Sequence, residues 1–215
     1  MRAAYTARAM NEIIITNTRP EYAAGLAEHQ KICFPTLDPQ AWMTAEDFLA
    51  QMRAFPEGQH VALDGDRVVG QSSTLRVRGE QAFAQHSFLG ITGNVSFSTH
   101  DPQGEWLYGA DMSVHPDYRG RKISKLLYNA RKDLIRRLGL RGMVAGGQLA
   151  GYHHYREQLG IQDYVDKVVR GELTDPTLTP QLRSGFMVRD VLWHYLDDAE
   201  HGAEASLIVW ENPDL

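Results

Sequence analysis

The chain contains one cysteine, Cys33, among 215 residues. A lone thiol excludes an internal disulfide, and no Cys/His cluster has zinc spacing, so no metal is expected. Long apolar runs are also missing. None approaches the roughly 18–20 residues that a membrane helix needs, so no membrane partner is expected. Met1 to Met10 carries two arginines without an apolar stretch behind them, which is not the pattern of a secretory signal. Excess positive charge is lacking as well. The net charge of −5 argues against nucleic acid as the main partner. These absences leave a soluble, cytoplasmic protein as the expectation. Cys33 itself lies in the apolar run Ile32-Cys33-Phe34, which favours a buried small hydrophobe over a nucleophile.

What is present is an ordinary globular composition with an uneven charge distribution. Apolar residues make up 43%, enough for one sizeable core, so residues 12–215 read as a single domain and 1–11 as a flexible N-terminal arm. From Arg119 to Arg141 there are nine Lys/Arg and one acid, Asp133, a local charge of +8, so the remainder carries −13. A cationic block inside an acidic chain suits a small anion better than an extended polyanion.

Periodicity places the elements. Glu12 to Asn17 reads as a strand, and Pro20 opens a helix reaching Ile32. Thr44 with Asp47 forms a capping pattern for a helix to about Ala54. His60–Leu63 and Arg67–Val77 are strands about the turn Asp64-Gly65-Asp66. Gly90 to Thr99 looks strand-like, and Trp106 to Val114 is a strand. Ile123 to Leu138 is the strongest helix, with Ile123, Leu126, Leu127, Ala130, Leu134 and Leu138 on one face and Gly139 ending it. Met143 to Ala145 is a short buried strand. A strand, a crossover helix and a second strand favour a parallel pair. Ile161–Val169 is a helix, and Gly185–Tyr195 and Ala203–Trp210 are closing strands. The class is α/β or α+β with a mixed sheet.

The segment richest in chemistry is Val114-His115-Pro116-Asp117-Tyr118-Arg119-Gly120-Arg121-Lys122-Ile123-Ser124. A strand ends, the chain turns and a helix begins. The first N–H groups of a helix lack internal partners and carry the positive end of its dipole, so a phosphate can accept from several at once. Gly120 leaves that approach open, and Arg119, Arg121 and Lys122 add charge. The pattern is that of a diphosphate cradle.

Val114, Pro116, Arg119 and Gly120 resemble the V-x-P-x-x-R-G-x-G signature of the GNAT N-acetyltransferases, and Gly185-Phe186 is similar to that family's "GF" step. Further stretches, Phe55-Pro56-Glu57-Gly58, Leu107-Tyr108-Gly109-Ala110-Asp111, Gly146-Gly147-Gln148 and Trp210-Glu211-Asn212-Pro213, resemble the branch often fused to a nitrilase-like carbon–nitrogen hydrolase. The resemblance implies a GNAT fold: a mostly antiparallel sheet with a central parallel pair flanked by helices. It implies acetyl-CoA as cosubstrate, with Met112, Ser113 and Val114 holding the pantetheine arm by their backbone. Arg119, Gly120, Arg121, Lys122, Ile123 and Ser124 would hold the diphosphate. It also implies transfer to an amine on a small molecule or a protein, and it admits a carbon–nitrogen hydrolase partner; a homodimer is open as well. The alternative is a non-catalytic acyl-CoA-binding module beside such a hydrolase.

Two positions depart from the family. Lys122 replaces the second glycine, and Gln181 stands four residues before Gly185, where many members have the tyrosine that protonates the leaving thiolate. The candidate base is Asp111, a lone carboxylate in the uncharged run Leu107 to Val114. The candidate acid is Tyr152, just after the glycine-rich exit of the next strand, with Tyr155 and Tyr164 as rivals. His115 belongs to the turn and is expected to face solvent. The adjacent pair His153-His154 points apart on a helix, which disfavours joint metal binding.

Overall fold

The computed structural model describes residues 12–37 and 39–215. The expected N-terminal arm, 1–11, lies outside them. In chain order the elements are β1 (Ile14–Asn17), α1 (Ala23–Cys33), α2 (Ala45–Ala54), β2 (His60–Asp64) and β3 (Arg67–Val77). Then follow α3 (Gly79–Ala82), α4 (Phe88–Thr92), β4 (Trp106–Val114), α5 (Ile123–Leu138) and β5 (Gly142–Gln148). The chain closes with α6 (Ile161–Val169), α7 (Leu178–Arg183), β6 (Met187–Leu192) and β7 (Ala205–Glu211). Among the described residues no helix is long and apolar enough to cross a membrane.

The seven strands form one sheet in the order β1-β2-β3-β4-β5-β7-β6. Every neighbouring pair is antiparallel except β4 with β5. That parallel pairing spans only Trp106↔Gly142, Leu107↔Met143 and Tyr108↔Val144. Beyond it β4 stays on β3 as far as Val114, and β5 stays on β7 as far as Gln148. The sheet is therefore split in its middle, and each strand along the split has a free edge. A register shift sharpens the divergence. Ser73 pairs with Asp111 but Thr74 with Gly109, leaving Ala110 as the extra residue of a bulge in β4.

Two large hydrophobic clusters hold the sheet. One includes Leu26, Met43, Phe48, Leu75, Phe97 and Leu207; the other includes Leu134, Ile135, Tyr164, Val165, Leu178 and Ile208. The capping box expected at Thr44 is present, with the Asp47 N–H donating to the Thr44 hydroxyl and the Thr44 N–H donating to the Asp47 carboxylate. α5 keeps its expected bounds and ends on Gly139, which adopts φ of 61° while the Leu140 N–H reaches back to the Ile135 carbonyl. Its buried stripe differs from the apolar one. Leu126 is exposed, and Ile123, Leu127, Arg131, Leu134 and Ile135 face inward.

Gly90 to Thr99 is not a strand. The Ser87 hydroxyl caps α4 by accepting from the Gly90 N–H, and Gly93, Asn94, Val95 and Phe97 then take positive φ in a tight turn. The Thr92 hydroxyl accepts from the Val95 N–H, and the Gln51 amide donates to the Val95 carbonyl. Buried Phe88, Ile91, Val95 and Phe97 supply the apolar content that alternation alone reads as a strand.

Candidate functional site

The split between β4 and β5 opens into a cavity of about 710 Å³. That size lies within the usual range for a small-molecule site. Its walls come from β4 (Gly109 to Val114), the turn into α5 (Tyr118 to Gly120 and Lys122 to Ser124), β5 and its exit (Ala145 to Gln148), and α7 with Phe186. The remaining wall comes from α1 and the loop after it (Gln30, Cys33, Phe34, Leu37), with Phe88, Tyr195, Leu196 and His201.

The turn into α5 is built for close approach. Gly120 adopts φ of 78°, and no atom lies within 4 Å of where a Cβ would sit. Lys122, in place of a glycine, adopts the left-handed conformation at φ of 63° as the N-cap of α5. No side chain caps that end of the helix, so the first N–H groups stay free for a ligand. Arg119, Gly120, Lys122, Ile123 and Ser124 line the cavity. Arg121 does not; its guanidinium lies over the Tyr118 ring, 4.9 Å from the centroid. Met112, Ser113 and Val114 line the neighbouring stretch of β4.

Asp111 sits just past the bulge and lines the cavity. The Gln71 amide donates to its carboxylate. Desolvation raises its pKa to about 7, against the opposing pull of Arg131 and the Gln71 hydrogen bond. Arg131, buried in the middle of α5, donates to the Ser72 hydroxyl at 2.6 Å, to the Ser73 carbonyl at 3.1 Å and to the Asp111 carbonyl. It thereby fastens α5 to β3 and β4 at the bulge. Gly109 makes room for it, because a Cβ there would lie 2.7 Å from an Arg131 Nη atom.

The tyrosines fall on different sides of this boundary. Tyr152, expected near the acyl group, lies outside the cavity. Its hydroxyl donates to the Leu159 carbonyl at 3.2 Å and its ring packs 5.4 Å from that of Tyr164. Tyr164 donates to Asp175 at 2.8 Å, and Tyr155 packs on Tyr164 at 5.4 Å. The three form part of the second core, because the chain turns away from the sheet immediately after β5. Tyr118, Tyr128 and Tyr195 line the cavity instead. Tyr128 projects from α5 beside Phe186, with ring centroids 5.4 Å apart, and burial raises its pKa. Gln181 faces it from α7, with a buried amide oxygen that has no protein partner.

The glycines of β5 explain how the opposite wall comes so close. A Cβ on Gly147 would lie 2.5 Å from the Gln181 amide oxygen, and one on Gly146 would lie 2.3 Å from Cζ of Tyr195. Gly146 is the sequence signal for Tyr195, which lies far along the chain. His115 is buried, not solvent-facing, with its Nε2 accepting from Arg67 at 3.0 Å. Cys33 closes α1 at the cavity wall, 3.4 Å from His29 Nε2, and burial pushes its thiol up to about 11. His29 in turn lies 3.1 Å from the Ser113 hydroxyl.

Comparison with known proteins adds to this geometry. The model of the Acetyltransferase (GNAT) family matches residues 23–160, more than half of the chain. "Uncharacterized N-acetyltransferase YkwB" of Bacillus subtilis is 33% identical over 184 residues, covering 85% of this chain and 81% of that protein. "Probable hydrolase YhcX" of the same organism is 35% identical over 204 residues, covering 94% of this chain but only 39% of the relative. Among solved structures, the "GphF GNAT-like decarboxylase in complex with isobutyryl-CoA" superposes with a TM-score of 0.78 at 22% identity, covering 93% of this chain and 99% of that one. At that identity the likeness shows the fold alone.

Proposed function

Because the chain belongs to the Acetyltransferase (GNAT) family and is an acyltransferase, we propose that it moves an acetyl group from acetyl-CoA to a primary amine of a small molecule or a protein, by direct attack of the amine. The observation that carries this reading is the split sheet leading straight into the open turn at Gly120. A free β4 edge offers hydrogen bonds to an extended arm, and the bare helix start beside it offers several N–H donors to a diphosphate. The residues fit the cosubstrate. Nothing obstructs Gly120, and the unpartnered Gln181 oxygen lies in the lining of the same cavity.

Bound there, acetyl-CoA would supply the activated acyl group. The chain's part is placement and proton handling. Met112, Ser113 and Val114 line the arm's track, and Arg119, Gly120, Lys122, Ile123 and Ser124 hold the diphosphate end. Asp111, held near pH 7 by burial, accepts a proton from the attacking nitrogen. Tyr128, kept protonated by burial, donates one to the departing sulfur from its place beside Gln181. Tyr152 has no part in this reading.

Calorimetry with CoA, followed by thiol release from acetyl-CoA across a panel of primary amines, tests it. Binding without turnover of any amine would favour the second reading, an acyl-CoA-binding module that serves a hydrolase. That reading draws on the 39% coverage of YhcX.

A further inference from the structure

Three groups outside the family motif form a continuous chain from the cavity wall to the surface. His86 Nδ1 lies 2.8 Å from the Ala84 carbonyl oxygen. A carbonyl only accepts, so in the neutral ring Nδ1 carries the proton and Nε2 is bare. Burial lowers the pKa of His86, which keeps the ring neutral at ordinary pH. Nε2 lies 2.7 Å from the Tyr108 hydroxyl, which must therefore donate to it. The Tyr108 and Tyr195 hydroxyls lie 3.1 Å apart; with the Tyr108 proton committed to His86, the proton between them must come from Tyr195. Tyr195, part of the cavity wall, thus points its proton inward and keeps oxygen lone-pair capacity for the cavity side.

We propose that Tyr195, Tyr108 and His86 form a proton relay that removes the surplus proton of amine acylation to solvent. The proposal rests on the acyl-transfer reading above. A primary ammonium first loses one proton to Asp111, and the free amine then forms an N–C bond with the thioester carbon as the C–S bond breaks. Two protons leave nitrogen, one ends on sulfur, and one is left over. The left-over proton, held first by Asp111, passes to the Tyr195 oxygen across the cavity lining that the two share, as Tyr195 passes its own to Tyr108 and Tyr108 passes its own to His86 Nε2. His86 then releases the Nδ1 proton to water on the exposed side of its bond to Ala84. Tyr108 is fully buried and Tyr195 is 3% exposed, so neither can discharge directly to bulk water. Gly146 is what admits the Tyr195 ring to this position, since a Cβ there would overlap it.

The test uses acetyl-CoA and whichever primary amine the wild type acetylates fastest among alkylamines, amino acids and polyamines. His86→Ala, Tyr108→Phe and Tyr195→Phe should each lower kcat roughly tenfold or more while CoA affinity holds within about threefold. Added imidazole should restore turnover to His86→Ala and not to Tyr108→Phe, a split that a packing role does not produce. Retention of kcat in all three variants, or failure of imidazole to rescue, overturns the relay alone. A wild type that binds CoA and turns over no amine overturns acyl transfer and the relay with it. Nitrogen NMR of His86 in the unmodified protein gives a check that needs no variant to fold. A proton on Nδ1 supports the stated direction of transfer, and a proton on Nε2 overturns it.

Discussion

The two sides of the cavity are built on opposite principles. The side formed by Arg119 to Ser124 is one short stretch of chain, and it acts through backbone N–H groups, a missing side chain at Gly120 and the end of α5. The facing side gathers Gln30, Phe34, Leu37, Phe88 and Tyr195 from segments far apart in sequence, and it acts through side chains. A turn that presents backbone N–H groups depends little on its neighbouring side chains, and Lys122 takes the left-handed conformation within it. A wall of side chains from distant segments can change its contacts without disturbing the cradle. On the proposed reading, the turn bears on what donates the acyl group and the other wall on what receives it.

The sharpest way to break this comparison is Gly120→Asp. No atom crowds the new Cβ, and one non-glycine residue in the left-handed region costs only about 1–2 kcal/mol, so the protein should fold. The added carboxylate would sit at the proposed diphosphate position. Repulsion between unit charges about 4 Å apart is roughly 1 kcal/mol in water and about 4 kcal/mol near a protein surface, so CoA affinity should fall by roughly 5-fold to 10³-fold. Titration calorimetry reads this directly. Unchanged affinity would detach the cradle from CoA altogether.

Asp111→Asn tests the junction between the two sides. It should lower kcat by roughly 10²-fold while leaving CoA affinity within about threefold, because the cradle is untouched. In the wild type the rate should climb as pH rises through about 7, where the carboxyl loses its proton. The same shift has a stability consequence. A folded pKa above the unfolded value of 3.8 means the native state holds a proton the unfolded chain has lost. Stability contributed by this group is full below pH 3.8 and is lost as pH rises to about 7. Asp111→Asn should therefore melt higher than wild type at pH 8, by roughly 2–5 °C, and show no gain near pH 3.5. Calorimetric scans at the two pH values separate this from a structural role, for which the variant would melt lower at both.

The same division governs what could be read from the sequence. The open turn at Gly120, the span of α5 and the parallel pair around it follow from local pattern, since helix caps, a glycine and apolar spacing are neighbours in the chain. The split of the sheet follows from that pair. The buried face of α5 was only partly legible: Arg131 replaces an apolar residue at an inward position because Ser72 and the carbonyls of Ser73 and Asp111 receive it, and none of these is near it in sequence. Gly90 to Thr99 misled for a related reason. Its apolar residues are buried by a turn that depends on hydroxyl caps and on Gln51, not by strand alternation. Tyr195 had no local signal at all. Only Gly146, on the strand it leans against, marks its place.

The smallest expected effect is the most direct test of where the cavity ends. Tyr152 follows the glycine-rich exit of β5, the place where order along the chain suggests an acid, yet its hydroxyl is spent on the Leu159 carbonyl and its ring on Tyr164. Tyr152→Phe removes one part-buried hydrogen bond and keeps the ring. Such bonds contribute about 0.5–1.5 kcal/mol to folding, so the melting temperature should drop by roughly 1–5 °C. Turnover by the folded protein should stay within about twofold, because ordinary acid–base assistance is worth roughly 10²–10⁴ in rate and none of it is assigned to this group. Tyr128→Phe supplies the contrast. It also keeps its ring, here against Phe186, but it removes a hydroxyl from the cavity wall. If Tyr152→Phe lost the larger share of kcat, the acid would lie on the far side of β5. The exit of that strand would then have to move toward the acyl group during the reaction.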